Sequence, residues 1–160
     1  MSIAIYGGTF NPIHYGHLIV ADEVRQAFQL DKIIFVPSAI PPHKKYEAII
    51  DPQHRYNMTH LAIASNSHFV ASTVELDRGG KSYSIDTIKE LKKEYKDEKD
   101  FFFIMGADAF LEISTWKAAD KILELCRFII VSRPGTSLGK VIKYLSSKDN
   151  LPDYLKKNKL

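Results

Sequence analysis

Cysteine is almost missing from this chain: Cys126 is the only one in 160 residues. That excludes a disulfide framework and makes a reducing, cytoplasmic setting the default expectation. Cys126 stands between Leu125 and Arg127, just ahead of the apolar run Phe128 to Val131, which reads as a buried structural thiol and not a nucleophile. Long apolar runs are missing too. None approaches the ~18 to 20 residues of a membrane span, and Met1-Ser2 leads straight into a strand pattern instead of a signal peptide. No membrane partner is expected. An excess of one charge is also lacking, since 22 basic and 19 acidic residues leave +3, much of it from Lys156, Lys157 and Lys159. Without aromatics interleaved among basic residues, this gives no footprint for nucleic acid. A small anionic substrate accounts for the basic residues more economically.

Two common nucleotide fingerprints are absent as well. Gly7-Gly8-Thr9-Phe10-Asn11-Pro12 does not match G-x-G-x-x-G, and Val36 is followed by Pro37-Ser38 where a ribose-binding acid would stand. Hydride transfer on a dinucleotide is therefore disfavoured. The P-loop G-x-x-x-x-G-K-[ST] is not found either. His14 and His17 are three apart, yet one distant cysteine and scattered histidines supply no second ligand pair for zinc. No protein-held metal site is expected.

What is present is a strand pattern, Ile3 to Tyr6, followed by Gly7-Gly8 and then by two histidines where a helix begins near Tyr15. The glycine pair predicts a sharp turn in which the backbone approaches a ligand closely. A helix N-terminus beyond it offers unpaired N–H groups and a partial positive charge. Together they make a cradle for phosphate.

Five apolar runs predict strands: Ile3 to Tyr6, Ile33 to Val36, Phe69 to Val74, Phe101 to Met105 and Phe128 to Val131. Helical patterns separate them. Leu18, Ala21, Val24 and Phe28 share a face of the first helix, and Asp51-Pro52 supplies the cap and first-turn proline of the second. The third carries Ile85, Ile88, Leu91 and Tyr95 with Ser82 or Ser84 as its cap; the fourth runs from Thr115 or Trp116 to about Leu125, and a fifth spans Leu138 to Ser146. This alternation predicts an α/β fold, a Rossmann-like doubly wound parallel sheet of about five strands in the order 3-2-1-4-5. In that order the ends of strands one and four are neighbours, so Gly106-Ala107-Asp108 would form a second glycine turn facing the first. The long loop Pro37 to Ile50, containing Pro41-Pro42-His43-Lys44-Lys45, has the length of a functional lid.

Residues 7 to 17, G-G-T-F-N-P-I-H-Y-G-H, resemble the H-x-G-H signature of the nucleotidyltransferase superfamily, and the flanks resemble the nicotinate mononucleotide adenylyltransferases. Pro41-Pro42-His43-Lys44, Ser84-Ile85-Asp86-Thr87, Gly106-Ala107-Asp108-Ala109, Ser114-Thr115-Trp116 and Val131-Ser132-Arg133-Pro134-Gly135 extend the likeness, in order and spacing, over about residues 1 to 135. The resemblance implies adenylyl transfer from ATP to nicotinate mononucleotide, giving nicotinate adenine dinucleotide and pyrophosphate, a step of NAD biosynthesis. It implies catalytic roles for His17, His14 and Lys44. ATP would meet Gly8, Thr9, Phe10, His14, His17, Gly106 and Asp108, with Phe10 equally readable as a core plug and Asp108 as a helix cap. Nicotinate mononucleotide would meet Lys44, Thr87, Trp116 and Arg133. Magnesium would be held mainly by the ATP phosphates.

One family signature is not found. Members carry I-S-S-T-x-I-R at the start of a C-terminal helix, whereas the nearest text here, Leu145-Ser146-Ser147-Lys148-Asp149-Asn150, lacks the downstream arginine. The expectation is one nucleotidyltransferase domain over 1–160, incomplete at its C-terminal end. Two alternatives remain open on the sequence. One is a pantetheine-phosphate adenylyltransferase, which shares H-x-G-H; the other is a nucleotide-binding module without turnover.

Overall fold

The computed structural model describes residues 1–42, 48–98, 100–132 and 138–146. Five strands, β1 (Ser2–Gly8), β2 (Lys32–Pro37), β3 (Phe69–Ala71), β4 (Asp100–Gly106) and β5 (Arg127–Val131), form one all-parallel sheet in the order β3-β2-β1-β4-β5. The expected fold class and strand order are those observed. Helices α1 (Tyr15–Ala27), α2 (Pro52–Ile63), α3 (Val74–Arg78), α4 (Ser84–Glu94), α5 (Ala107–Leu111), α6 (Ala119–Leu125) and α7 (Leu138–Ser146) provide the connections and the cover. Among the described residues, no helix is long and apolar enough to cross a membrane.

The strands read as continuous apolar runs because both faces of the sheet are covered. Their period of two sorts them into two cores. Ile3, Ile5, Phe101, Phe103 and Met105 pack with Ile85, Ile88 and Leu91 of α4, Phe110 of α5 and Ile122 of α6. Ala4, Ile33, Phe35, Ile104 and Ile129 pack on the opposite face with Ala21 and Val24 of α1 and Ile63 of α2. Each fully buried Ile, Leu or Phe contributes roughly 1.5–3 kcal/mol. The sheet is therefore a rigid base for whatever its strand ends carry. Cys126 is buried beside this base, its Sγ 3.7 Å from the Ile122 carbonyl, and burial pushes its thiol up to about 12. A thiol in that state is no nucleophile at neutral pH.

Local chemistry explains where elements differ from expectation. The third strand stops at Ala71 and does not reach Val74, because Ser72 Oγ accepts from the Val74 amide and Thr73 Oγ1 donates to Asp77 Oδ2 at 2.6 Å, opening α3. Neither Ser82 nor Ser84 caps α4. Tyr83 is the extended capping residue, and Ser82 Oγ instead accepts the buried Ala39 amide at 2.8 Å. The expected fourth helix is divided: a 3-10 turn, Ile113–Thr115, precedes an extended Trp116 and a left-handed Ala118, and α6 begins only at Ala119. Asp51 caps α2 as expected, its Oδ1 accepting from the Gln53 amide at 2.8 Å with Pro52 in the first turn.

Candidate active site

A cavity of about 1070 Å³ opens at the carboxyl ends of β1 and β4, the point where strand order reverses. That volume lies just above the range for small-molecule sites, roughly 300–1,000 Å³. The walls come from the β1 to α1 turn, the β4 to α5 junction, the start of α4 and the Trp116-Lys117 segment.

The first wall departs from the expected glycine turn. β1 stays extended through Gly7 and Gly8, and the left-handed residue is Phe10, with φ of 45°. A non-glycine residue there costs about 1–2 kcal/mol. Burial of the Phe10 ring, only 2% exposed, offsets that by a similar amount. The ring meets Tyr6 at 5.6 Å and His17 at 5.1 Å between centroids, both near perpendicular. Gly8 is needed for this packing and not for its own conformation, since a Cβ there would lie 2.9 Å from two Phe10 ring carbons. Phe10 thus plugs the core with its side chain and is also among the residues that line the cavity.

His14 and His17 are arranged around the first turn of α1. The His14 amide donates to His17 Nδ1 at 3.2 Å, and the His14 carbonyl accepts from the His17 amide at 2.9 Å. Their rings stack at 3.8 Å. Gly16 makes room for this pair, because a Cβ would approach His14 Cε1 to 3.0 Å. With Nδ1 accepting, the neutral His17 ring carries its proton on Nε2, which makes that nitrogen a donor. Capping therefore uses Nδ1, and Nε2 is a separate atom of the same ring. No acidic residue occupies the first turn of α1, so the positive end of the helix is left unbalanced, a setting favourable to an anion.

At the second strand end, Gly106 is extended (φ −70°), and a Cβ on it would meet nothing within 4 Å. It keeps the cavity clear and makes no tight turn. Asp108 is exposed in the first turn of α5 and lines the cavity, and the capping residue is Gly106.

The opposite wall is a polar network. Thr87 is buried; its Oγ1 donates to Glu75 Oε1 at 2.5 Å and accepts from Arg78 Nη2 at 3.1 Å, while its amide bonds to the Tyr83 carbonyl. Burial raises the Glu75 carboxyl above its ordinary value, and hydrogen bonds from Ser82 and Thr87 with the Arg78 charge pull it part of the way back. Its Oε2 is buried without a hydrogen-bond partner among the described residues. Trp116 is half-buried, edge-on to Phe103 at 6.2 Å. Lys117 was not singled out from the sequence. It bonds Asp86 Oδ2 at 2.9 Å and lies 4.6 Å from the Tyr83 ring centroid. Its place next to Trp116 was the available signal.

Arg55 was missed outright, for it carries no sequence signal beyond being a lone basic residue on α2. It is fully buried, and its guanidinium donates to four carbonyls: Ile50 (2.7 Å), Thr9 (2.6 Å), Ser38 (2.6 Å) and Ala39 (3.2 Å). Burial lowers its pKa, but a guanidinium keeps its proton in proteins. Lys44 and Arg133 lie outside the described residues. The structure therefore brings together Gly8, Thr9, Phe10, His14, His17, Gly106, Asp108, Thr87 and Trp116 around one cavity. Among the described residues, no group of three His, Cys, Asp or Glu is placed to hold a metal ion.

The family model described as cytidylyltransferase-like matches residues 5–157. A relative from Thermoanaerobacter sp. (strain X514), named "probable nicotinate-nucleotide adenylyltransferase", is 51% identical over 91% of this chain and 69% of its own length. A relative of the same name from Moorella thermoacetica is 52% identical over 87% of this chain and 64% of its own. The chain thus spans about two thirds of the length of these relatives. Among solved structures, Plasmodium falciparum nicotinic acid mononucleotide adenylyltransferase complexed with NaAD superposes with a TM-score of 0.64. It covers 98% of this chain and 89% of that one at 21% identity, a likeness of fold.

Proposed function

The chain belongs to the cytidylyltransferase-like family, and from that premise we propose that its cavity transfers an adenylyl group from ATP to nicotinate mononucleotide. The observation that carries the reading is the convergence of the H-x-G-H turn, Gly106-Ala107-Asp108 and the Thr87 and Trp116 elements on one cavity at the β1/β4 switch point. Named relatives at about half identity support the same acceptor.

In the reaction an oxygen of the acceptor's 5′-phosphate forms a bond to the α-phosphorus of ATP. The bond from that phosphorus to its bridging oxygen breaks, and pyrophosphate leaves with the electron pair. A phosphate monoester has its second pKa near ~6, so the nucleophile is already ionised at neutral pH and needs no strong base. Placement and charge stabilisation are the protein's work, and orientation alone is worth roughly 7–11 kcal/mol. His17 Nε2–H donates to phosphate oxygens as charge shifts toward pyrophosphate, with His14 beside it and the α1 N-terminus behind. Gly8, Thr9 and Phe10 present backbone to the nucleotide, and Gly106 and Asp108 face its adenosine. Trp116 stacks on the pyridine ring, and the start of α4 near Thr87 receives the nicotinate carboxylate with Asp86 neutralised by Lys117. Lys44 and Arg133 are assigned to the phosphates by their motifs. Magnesium would enter as an ion carried by the triphosphate and would neutralise charge on its phosphate oxygens. Residues 1–160 are read as one nucleotidyltransferase domain.

The test incubates the purified chain with ATP, magnesium and, in parallel, nicotinate mononucleotide, nicotinamide mononucleotide or phosphopantetheine, following pyrophosphate. Release with nicotinate mononucleotide is expected. Turnover with phosphopantetheine alone would overturn the acceptor, and ATP binding without pyrophosphate from any acceptor would make the chain a nucleotide-binding module.

A further inference from the structure

We infer that Arg55 is a positioning residue for this transfer: from behind the cavity wall it ties the phosphate-side turn to the end of β2 and places a fixed positive charge beneath that turn. The inference rests on the adenylyl-transfer reading. Thr9 and Ser38 line the cavity, whereas Arg55 does not, so it acts only through the backbone it holds.

Its four acceptors come from three separate segments: the turn after β1 (Thr9), the residues after β2 (Ser38, Ala39) and the approach to α2 (Ile50). In a planar trans peptide the C=O and the following N–H point in opposite directions. Drawing the Thr9 carbonyl onto Arg55 therefore turns the Phe10 amide away from it, to the cavity side of the wall. The second tie displays the same consequence directly. The Ser38 carbonyl faces Arg55, and the Ala39 amide, on the other edge of that peptide, donates to Ser82 Oγ next to the start of α4. One guanidinium thus orients the backbone of both half-sites.

Charge adds a second effect. Among the described residues no carboxylate is in ion-pair contact with Arg55: Asp51 and Glu75 act on it only from longer range, and its hydrogen bonds are to neutral carbonyls. A buried ion is costly unless hydrogen-bonded, and a methionine would fill the same space without that cost. The bonds satisfy the N–H groups without neutralising the charge, which Asp51 and Glu75 offset only in part, so its field still acts across a low-dielectric wall.

Arg55→Met and Arg55→Lys separate these effects from simple support. ATP affinity is measured by calorimetry, which needs no acceptor, and kcat by pyrophosphate release after the wild-type chain has established turnover. Failure of the acceptor reading would therefore appear in the wild type alone. Lysine keeps the charge but, as a point donor, cannot span the four carbonyls; its ATP affinity should stay within about threefold while kcat falls at least ~tenfold, in line with the penalty for small misplacement. Methionine should weaken ATP by ~tenfold or more and lower kcat further. If methionine prevents folding, the lysine variant with a wild-type melting temperature and a reduced kcat still supports the inference. A folded methionine variant within twofold of wild type in both quantities overturns it. So do lysine and methionine variants with equal losses in ATP affinity, kcat and melting temperature, the pattern of structural support alone.

Discussion

At the β1 to α1 wall the functional groups are held by aromatic edges and backbone strain, with Phe10 in a left-handed conformation under His17, whereas the α4 wall is held by hydrogen bonds and ion pairs among side chains. Charge divides the two in the same way. Behind the first wall lies a guanidinium bonded only to carbonyls, and its helix begins without an acid. In the second, each carboxylate faces a cation: Glu75 has Arg78 at 4.0 Å and Asp86 has Lys117 at 2.9 Å. The first wall carries a buried cation that Asp51 and Glu75 offset only from beyond contact distance, and a helix start without an acid, which suits a multiply charged phosphate chain. The second is near balance, which suits a ring bearing one charge. Under the proposed function, aromatic packing goes with the half assigned to the phosphates, and a polar side-chain network with the half assigned to the acceptor.

His17 tests the first half most severely. His17→Ala should lower kcat by ~10²–10³-fold, about 3–4 kcal/mol, the loss seen when one donor to a developing oxyanion is removed. The measurement is pyrophosphate release, with circular dichroism confirming that the variant remains folded. Full activity in a folded His17→Ala chain would leave the aromatic wall a structural element only.

Two glycines separate packing from ligand space. Gly8→Ala puts a Cβ 2.9 Å from the Phe10 ring, so the ring must move. A loss of ~1–3 kcal/mol in stability is expected, as for other overpacked cores, together with weaker ATP binding. Gly106→Ala meets nothing within 4 Å. Its melting temperature should be unchanged while the KM for ATP rises several-fold. Thermal melts and ATP titrations on both variants check the pair. Equal destabilisation of the two would erase the distinction.

This contrast also marks what the sequence could reveal. Strand runs, their order and the meeting of the β1 and β4 ends were legible because they depend on local apolar period and on general rules for parallel sheets. Asp51-Pro52 was legible because capping is a matter of neighbours. At Gly8 the expected turn is absent: the backbone is extended, its Cβ space is taken by a ring two residues on, and the strain belongs to Phe10. Ser82 was read as a cap, but its bond runs to Ala39, 43 residues away. Arg55 was illegible because its acceptors are backbone carbonyls, up to 46 residues distant, and every residue has one. Lys117 was hidden because an exposed lysine acquires meaning only once Asp86 is placed beside it.

Lys117 probes the balance of the acceptor wall. Lys117→Ala leaves Asp86 uncompensated near the start of α4, where an incoming carboxylate would meet it. The pair is about half exposed on the lysine side, so the effect should be near the ~0.2–1 kcal/mol of such pairs, a few-fold rise in KM for nicotinate mononucleotide with kcat and the KM for ATP unchanged. Equal rises for both substrates would show that the walls are not separable in this way.

Glu75 gives the smallest effect and the sharpest sign. Its folded carboxyl titrates above the ordinary value of 4.5 because it is buried. Below that pH both the folded and the unfolded chain hold the proton, and the group's contribution is fully present. As pH rises through the raised folded value, the unfolded chain ionises more readily, so wild type loses that stability. Glutamine cannot titrate, and its carbonyl can still accept from Thr87. The melting temperature of Glu75→Gln relative to wild type should therefore climb between about pH 4.5 and pH 8, by about 1–2 °C. A difference that falls over the same interval would mean that the ionised carboxylate is favoured by Arg78 more than burial opposes it. The second wall would then be held by a net attraction between charges, and not by a balance struck against desolvation.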